Sequence, residues 1–211
     1  MKEIKLYSAQ GSNCSERVEW LLNFKGLLYE RVEVDDLQPG SHFRSINPFG
    51  YVPAISLDGY LIAESMAIAE CVEELYPLPV LFGDNWQQRA LTREICEYVN
   101  STIHAPQNRS VLSALRPELA DTAKRVLRGE WISAKLEILK PKLWKESNFA
   151  VGNRFSLADI FVATIYKKAI QHGAAPIAGY KSHLEWLRTD EAIARADKFI
   201  NQCLTGLAII Y

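Results

Sequence analysis

The 211 residues carry 24 Lys and Arg against 25 Asp and Glu, and 48% of them are hydrophobic. This describes one compact domain or two small ones with a real core, and it excludes a disordered tail, a collagen-like chain and a disulfide miniprotein. A formal net charge of -1 excludes a global attraction to phosphate backbones or anionic lipid, and no basic run interleaved with aromatics points to nucleic acid.

The predicted elements alternate at first. Ile4 to Tyr7 is a short strand, and after Ser12 the residues Cys14, Val18, Leu21 and Leu22 recur at helical spacing. Leu28 to Val34 alternates again as a second strand. Gln38-Pro39-Gly40 and Asn47-Pro48-Phe49-Gly50 break the chain. Val52 to Leu57 and Tyr60 to Ile62 then flank Asp58-Gly59, a pair suited to a tight type I′ hairpin because it tolerates positive φ. Glu64 to Leu75 reads as an amphipathic helix with Ile68, Cys71, Val72 and Leu75 inward. The order β-α-β, breaker-rich connection, β-β-α fits a thioredoxin-like sandwich around a mixed four-stranded sheet.

Tyr76 to about 87 is the best linker, since Pro77 and Pro79 cannot continue a helix. Beyond it the strand signals stop. Trp86 to Leu115 reads as one helix or two end to end, with a kink at Pro106. Glu118 to Ser147, interrupted at Pro141, Ser156 to Gln171, Ser182 to Leu187 and Glu191 to Leu204 complete an all-helical half. The expected division is residues 1–80 and 88–211.

Cys14, Cys71, Cys96 and Cys203 are scattered, with no two-residue spacing of a zinc knuckle or redox pair, and read as reduced thiols of a cytoplasmic protein. No apolar run reaches the length of a signal peptide or a membrane span.

Three segments are suited to chemistry. Ser12-Asn13-Cys14-Ser15 opens the first helix, where unpaired N–H groups favour an anion, including a thiolate. There Ser12 can donate to a sulfur or Cys14 can be a nucleophile; equally, Ser12 or Asn13 caps the helix and Cys14 is a small buried residue. Val52-Pro53 begins the third strand, and a cis bond there would aim backbone groups at a peptide-like ligand; the alternative is a plain turn proline. Glu64-Ser65 stands before an apolar helical run, able to hold a ligand amine and carboxylate, or merely to cap.

In combination, Ser12-x-Cys14-Ser15-x-Arg17-Val18, Asn47-Pro48-x-x-x-Val52-Pro53-x-Ile55 and Glu64-Ser65-x-Ala67-Ile68 resemble the glutathione-binding domain of the soluble glutathione S-transferase family. Gly152 to Asp159 resembles that family's G-x-x-x-[ST]-x-A-D segment, here a capping box of Ser156 and Asp159 with Phe155 and Ile160 as a staple. The opening motif and Ile103-His104-Ala105-Pro106-Gln107-Asn108-x-x-Val111-Leu112 are most similar to the zeta class, which includes maleylacetoacetate isomerases.

The resemblance implies a thioredoxin-like α/β N-terminal domain followed by an all-α C-terminal domain. It implies glutathione as co-substrate, no metal, a cytoplasmic homodimer and detoxification. It implies Ser12 as the activating group, with glutathione held by Asn13, Cys14, His42, Val52, Pro53, Glu64 and Ser65. His104, Arg109 and Lys168 are the candidates facing an electrophile. The reaction is transfer of glutathione to an electrophilic carbon, or cis-trans isomerisation of a diacid of the maleylacetoacetate or maleylpyruvate type. A non-catalytic scaffold that binds glutathione or a protein is the alternative from another class. The chain departs from the zeta pattern at Tyr51 and His104, where glutamines stand in the class, in a shorter connection from Val34 to Asn47, and at Gln171, where a basic residue holds the diacid.

Overall fold

A computed structural model describes residues 3–198. Within them the chain forms two compact units, residues 3–79 with 191–198, and residues 80–190.

In the first unit β1 (Ile4–Ser8) alternates as its sequence predicts, with Ile4, Leu6 and Ser8 buried. It pairs in parallel with β2 (Glu30–Glu33) and antiparallel with β3 (Ala54–Leu57), which pairs antiparallel with β4 (Tyr60–Ala63). The order is β2-β1-β3-β4. β3 is buried at every position, as an interior strand covered on both faces must be. At the β3–β4 turn Asp58 and Gly59 have φ of 49° and 85°, the left-handed pair the hairpin requires.

The helix α1 (Asn13–Phe24) buries Val18, Trp20, Leu21 and Leu22. Cys14, on the predicted inward face, is only half-buried. The buried row of α2 (Ser65–Leu75) is Ser65, Ile68, Ala69 and Val72, the i, i+3, i+4, i+7 stripe, with Met66 beside it. The inward placement of Cys71 and Leu75 is corrected: Cys71 lies about 100° round the helix from Val72 and is half-buried, and Leu75 is 42% exposed. Lys25, just past α1, is buried to the end of its chain; its ammonium pairs with Glu73 at 2.7 Å and donates to the carbonyls of Tyr76 at 2.7 Å and Pro79 at 2.8 Å.

The second unit is helical. In α3 (Trp86–Glu97) the chain starts a rod that passes through a π-helical stretch, Tyr98–His104, and a 3-10 turn, Ala105–Gln107, before α4 (Arg109–Leu115). The break falls at Pro106, as its missing N–H predicts. For the same reason α5 (Asp121–Leu139) stops at the turn holding Pro141, correcting the expectation of helix to Ser147. In α6 (Leu157–Gln171) every residue from Leu157 to Tyr166 is buried, which makes it the central helix. The next helix, α7 (Ala178–Leu187), begins four residues before Ser182.

Asp159 has no exposure and accepts from the Ser156 N–H at 2.8 Å, the Ser156 hydroxyl at 2.9 Å, the Ala150 N–H at 2.7 Å and His183 Nε2 at 2.8 Å. The predicted capping box is therefore formed, and its carboxylate also ties a loop and α7 to α6. The last described helix, α8 (Glu191–Lys198), packs on α1 in the first unit, with Asn23 Nδ2 donating to the Ala196 carbonyl at 3.0 Å. The rest of the predicted terminal helix and Cys203 lie outside the described residues. Among the described residues no helix is long and apolar enough to cross a membrane.

Candidate functional site

Strand register assembles the site. Tyr7 of β1 pairs with Ala54 of β3, and Ala54 with Ala63 of β4. Ser8 pairs with Glu33 of β2, and the Val34 N–H donates to the Ser8 carbonyl at 2.7 Å. The segments holding Ser12, His42, Val52-Pro53 and Glu64-Ser65 therefore all leave or enter the sheet at one end, although they are up to 53 residues apart.

The loop from β1 to α1 is held by carboxylates. Glu33 accepts from the Gln10 N–H at 2.7 Å and pairs with Arg31, whose Nε donates to Glu19 at 2.8 Å. Burial pushes the Glu33 carboxyl up, but the Gln10 N–H and Arg31 outweigh it and leave the group below the usual carboxylate range. Ser12 is the N-cap of α1: its backbone is extended, and its half-buried hydroxyl oxygen accepts from the Ser15 N–H at 3.2 Å. The hydroxyl hydrogen keeps no partner among the described residues and is left to donate. Asn13 is buried at the first position of α1, its Nδ2 without a partner among the described residues, and Cys14 stands half-buried beside it.

The Val52-Pro53 bond is cis, and the β1–β3 ladder begins only at Ala54. Neither the N–H nor the carbonyl of Val52 takes part in a hydrogen bond among the described residues. Its side chain packs against a cluster of Val34, Phe43 and Ala54. That cluster anchors the 3-10 turn His42–Ser45 through Phe43, so the exposed His42 belongs to the same neighbourhood; its ring makes no hydrogen bond among the described residues. Asn47, buried behind this loop, donates through Nδ2 to the Tyr51 carbonyl at 2.7 Å.

At the start of α2, Glu64 has φ 71° and ψ 117°, its side chain makes no capping bond, and it is exposed. A non-glycine residue at positive φ costs of order 1–3 kcal/mol. Ser65, next to it, is buried and accepts from Arg17 Nη1 at 3.3 Å. Arg17 itself is 1% exposed, which brings a buried cation to the first turn of α2. Sequence reasoning did not assign Arg17 a site role. The signal was present: a cation four residues after Asn13 and four before Leu21 lies on the buried row of α1.

His104, Arg109 and Lys168 lie in the second unit. Buried Gln107 links two polar groups there, donating through Nε2 to the His104 carbonyl at 2.9 Å and accepting from Arg128 Nε at 2.8 Å. Arg109 lines a cavity of about 330 Å³ that Gln171 borders, and Lys168 Nζ donates to Gln171 Oε1 at 2.9 Å. Arg128 was missed because its neighbours in the cavity come from three helices.

The family model of the glutathione S-transferase N-terminal domain matches residues 6–89. Maleylacetoacetate isomerase of Rattus norvegicus is 35% identical over 165 residues, 75% of this chain and 74% of that protein. The zeta-class glutathione S-transferase of Euphorbia esula is 32% identical over 94% of this chain and 89% of its own length. A solved structure of maleylacetoacetate isomerase from Anaeromyxobacter dehalogenans, with glutathione bound in its active site, superposes with a TM-score of 0.78 at 28% identity, over 92% of this chain and 94% of that one. By sequence along most of its length and by fold, the chain belongs to the glutathione S-transferase family, and it is similar to the zeta class.

Proposed function

We propose that the protein is a zeta-like glutathione transferase in which Ser12 activates the thiol of glutathione for attack on a small electrophile. The observation that carries this reading is the Ser12 hydroxyl, which accepts from its own helix and so has its hydrogen left to donate to a thiolate. Lowering a thiol pKa by about two units takes roughly 2.7 kcal/mol. A charge-assisted hydrogen bond of about 1.5–3 kcal/mol and a helix N-terminus of about 0.3–1 kcal/mol together reach that figure without a further base.

In this reading the glutathione cysteinyl backbone pairs with the N–H and carbonyl of Val52, in the manner of an added strand behind Pro53. Glu64 accepts from the γ-glutamyl amine, and Ser65, with Arg17 behind it, holds the γ-glutamyl carboxylate. Asn13 and Cys14 line the sulfur, and His42 takes the glycyl carboxylate. Residues 1–80 serve glutathione, and the helical residues 88–211 serve the electrophile through His104, Arg109 and Lys168. The protein works as a cytoplasmic homodimer in detoxification. The named relatives favour one second reading, isomerisation of a maleylacetoacetate- or maleylpyruvate-type diacid after reversible thiolate addition.

The test is the pH dependence of glutathione conjugation to a chloro-nitroaromatic, with turnover of maleylacetone measured beside it. Ser12→Ala is expected to raise the pKa of bound glutathione by more than one unit, and Cys14→Ala to leave it within a few tenths. An unmoved pKa in Ser12→Ala overturns the assignment. A Cys14→Ala variant that loses all turnover points to a cysteine nucleophile. Retention on immobilised glutathione without turnover of either substrate means a binding scaffold.

A further inference from the structure

The turn that delivers Ser12 to the start of α1 leaves one backbone donor over. Ala9 to Ser12 closes on a bond from the Ser12 N–H to the Ala9 carbonyl at 3.1 Å, with Gly11 at φ 77° in the third place, where a type II turn requires positive φ. That bond uses the acceptor of the first residue and the donor of the fourth, so the Gln10 N–H is not used within the turn. Glu33 meets it at 2.7 Å. The parallel register sets Glu33 opposite Ser8, two residues before Gln10, so a side chain at the end of β2 reaches the loop that continues from β1.

Glu33 is itself held in place. Arg31, two residues earlier and so on the same face of β2, pairs with it through Nη1. The other guanidinium nitrogens reach Glu19 of α1, from Nε at 2.8 Å, and the hydroxyl of buried Ser8, from Nη2 at 3.1 Å; that hydroxyl donates to Glu19 at 2.6 Å. A planar fork loses little freedom for each bond it forms, and here it refers the Glu33 carboxylate to both β1 and α1. The loop is thereby set against the helix that it opens. Burial raises the Glu33 carboxyl, but the Gln10 N–H and Arg31 outweigh it, so the acceptor is charged at any pH where a thiolate forms.

We infer that Glu33, oriented by Arg31, is a positioning residue for Ser12: it fixes the Gln10 backbone and with it the direction in which the Ser12 hydroxyl donates. The inference rests on the assignment of Ser12 to the glutathione thiol. The Ser12 oxygen accepts from the Ser15 N–H at 3.2 Å, at the long end of such bonds, which by itself leaves the hydroxyl latitude. A reacting group is held within about 0.5 Å of its productive place only by neighbours that are themselves locked. The Gln10–Glu33 bond supplies a second constraint, from the N-terminal side of Ser12. It acts on the pKa of the thiol and not on the glutathione backbone, which Val52, Glu64 and Ser65 hold in the proposed reading.

The test is the ultraviolet thiolate absorbance of bound glutathione across pH, which needs no electrophile, together with kcat and KM for glutathione in conjugation to a chloro-nitroaromatic. Glu33 is exposed on the edge strand, so its replacement leaves the fold intact. Glu33→Ala is expected to raise the thiol pKa by about half a unit, roughly a threefold loss of thiolate preference. It is expected to lower kcat near neutral pH about threefold while KM stays within about twofold. Glu33→Gln keeps an acceptor oxygen for the Gln10 N–H and is expected to stay within about 0.2 unit of the unchanged protein. In a Ser12→Ala background Glu33→Ala is expected to add nothing, because it acts through Ser12. An unmoved pKa in Ser12→Ala removes the assignment beneath the inference. A raised pKa in Ser12→Ala beside an unmoved one in Glu33→Ala overturns the inference alone. So does Glu33→Gln shifted as far as Glu33→Ala, a shift that persists in the Ser12→Ala background, or a rise in KM at unchanged pKa.

Discussion

Replacing Asp159 by Ala takes one carboxylate away from four donors at once: the Ser156 N–H, the Ser156 hydroxyl, the Ala150 N–H and His183 Nε2, all at 2.7–2.9 Å. Asp159 has no exposure and the His183 side chain has 1%, so water does not replace it without opening the unit. Each orphaned buried donor costs about 1–3 kcal/mol, and a hydrogen bond to a charged acceptor contributes about 1.5–3 kcal/mol. These costs overlap, and a loss of about 4 kcal/mol is expected. Ser156→Ala removes only the cap hydroxyl and is expected to cost about 1 kcal/mol. Asp159→Asn keeps one acceptor oxygen but turns an amide N–H toward a donor, and is expected to fall between the two. The assay is equilibrium urea unfolding followed by tryptophan fluorescence. At an m-value of about 2 kcal/mol per molar, the Ala variant's transition for the second unit should fall by roughly 2 M. A shift below about 0.5 M at unchanged m would refute the claim that this carboxylate joins the loop at Ala150, α6 and α7.

Two further changes separate architecture from binding. Lys25→Met keeps the buried stem but takes the cation from Glu73 and from the carbonyls of Tyr76 and Pro79; a loss of about 3 kcal/mol is expected, with hydrogen exchange accelerated first at residues 76–80. Glu64→Gly relieves the φ of 71° and is expected to gain about 1 kcal/mol in unfolding stability while raising the KM for glutathione about tenfold or more; a variant that gains stability and keeps its KM would remove Glu64 from the glutathione site.

Much of the fold was legible because it is written locally. Alternation at Ile4 to Tyr7, the Asp58-Gly59 pair and the capping box at Ser156 each act within a few residues, and each is formed. The errors share a cause too. The spacing of Cys71 and Leu75 suits an inward face, but a helix's buried row is set by what packs on it, and α2 buries Met66 and Ala69 instead. Pro141 is visible as an interruption, yet only the folded chain shows that helix does not resume before α6.

The site divides along the same line. Ser12, Val52-Pro53 and Glu64-Ser65 stand out in the sequence because serine at a helix start, proline at a strand start and a polar pair before an apolar run are local signals. Local pattern does not reveal that one carbonyl ladder, Tyr7 to Ala54 to Ala63, sets them at one end of the sheet, or that Arg17 reaches from α1 to Ser65 across 48 residues. Nor does it place Arg109, Arg125, Arg128 and His172 around one cavity, or return α8 to the first unit. By itself the sequence determined the elements, their caps and breaks, and a near-zero net charge that leaves recognition to a few local groups. The tertiary structure decided which of those groups meet and which charges are buried, because register and helix packing bring together residues whose separation along the chain carries no local signal.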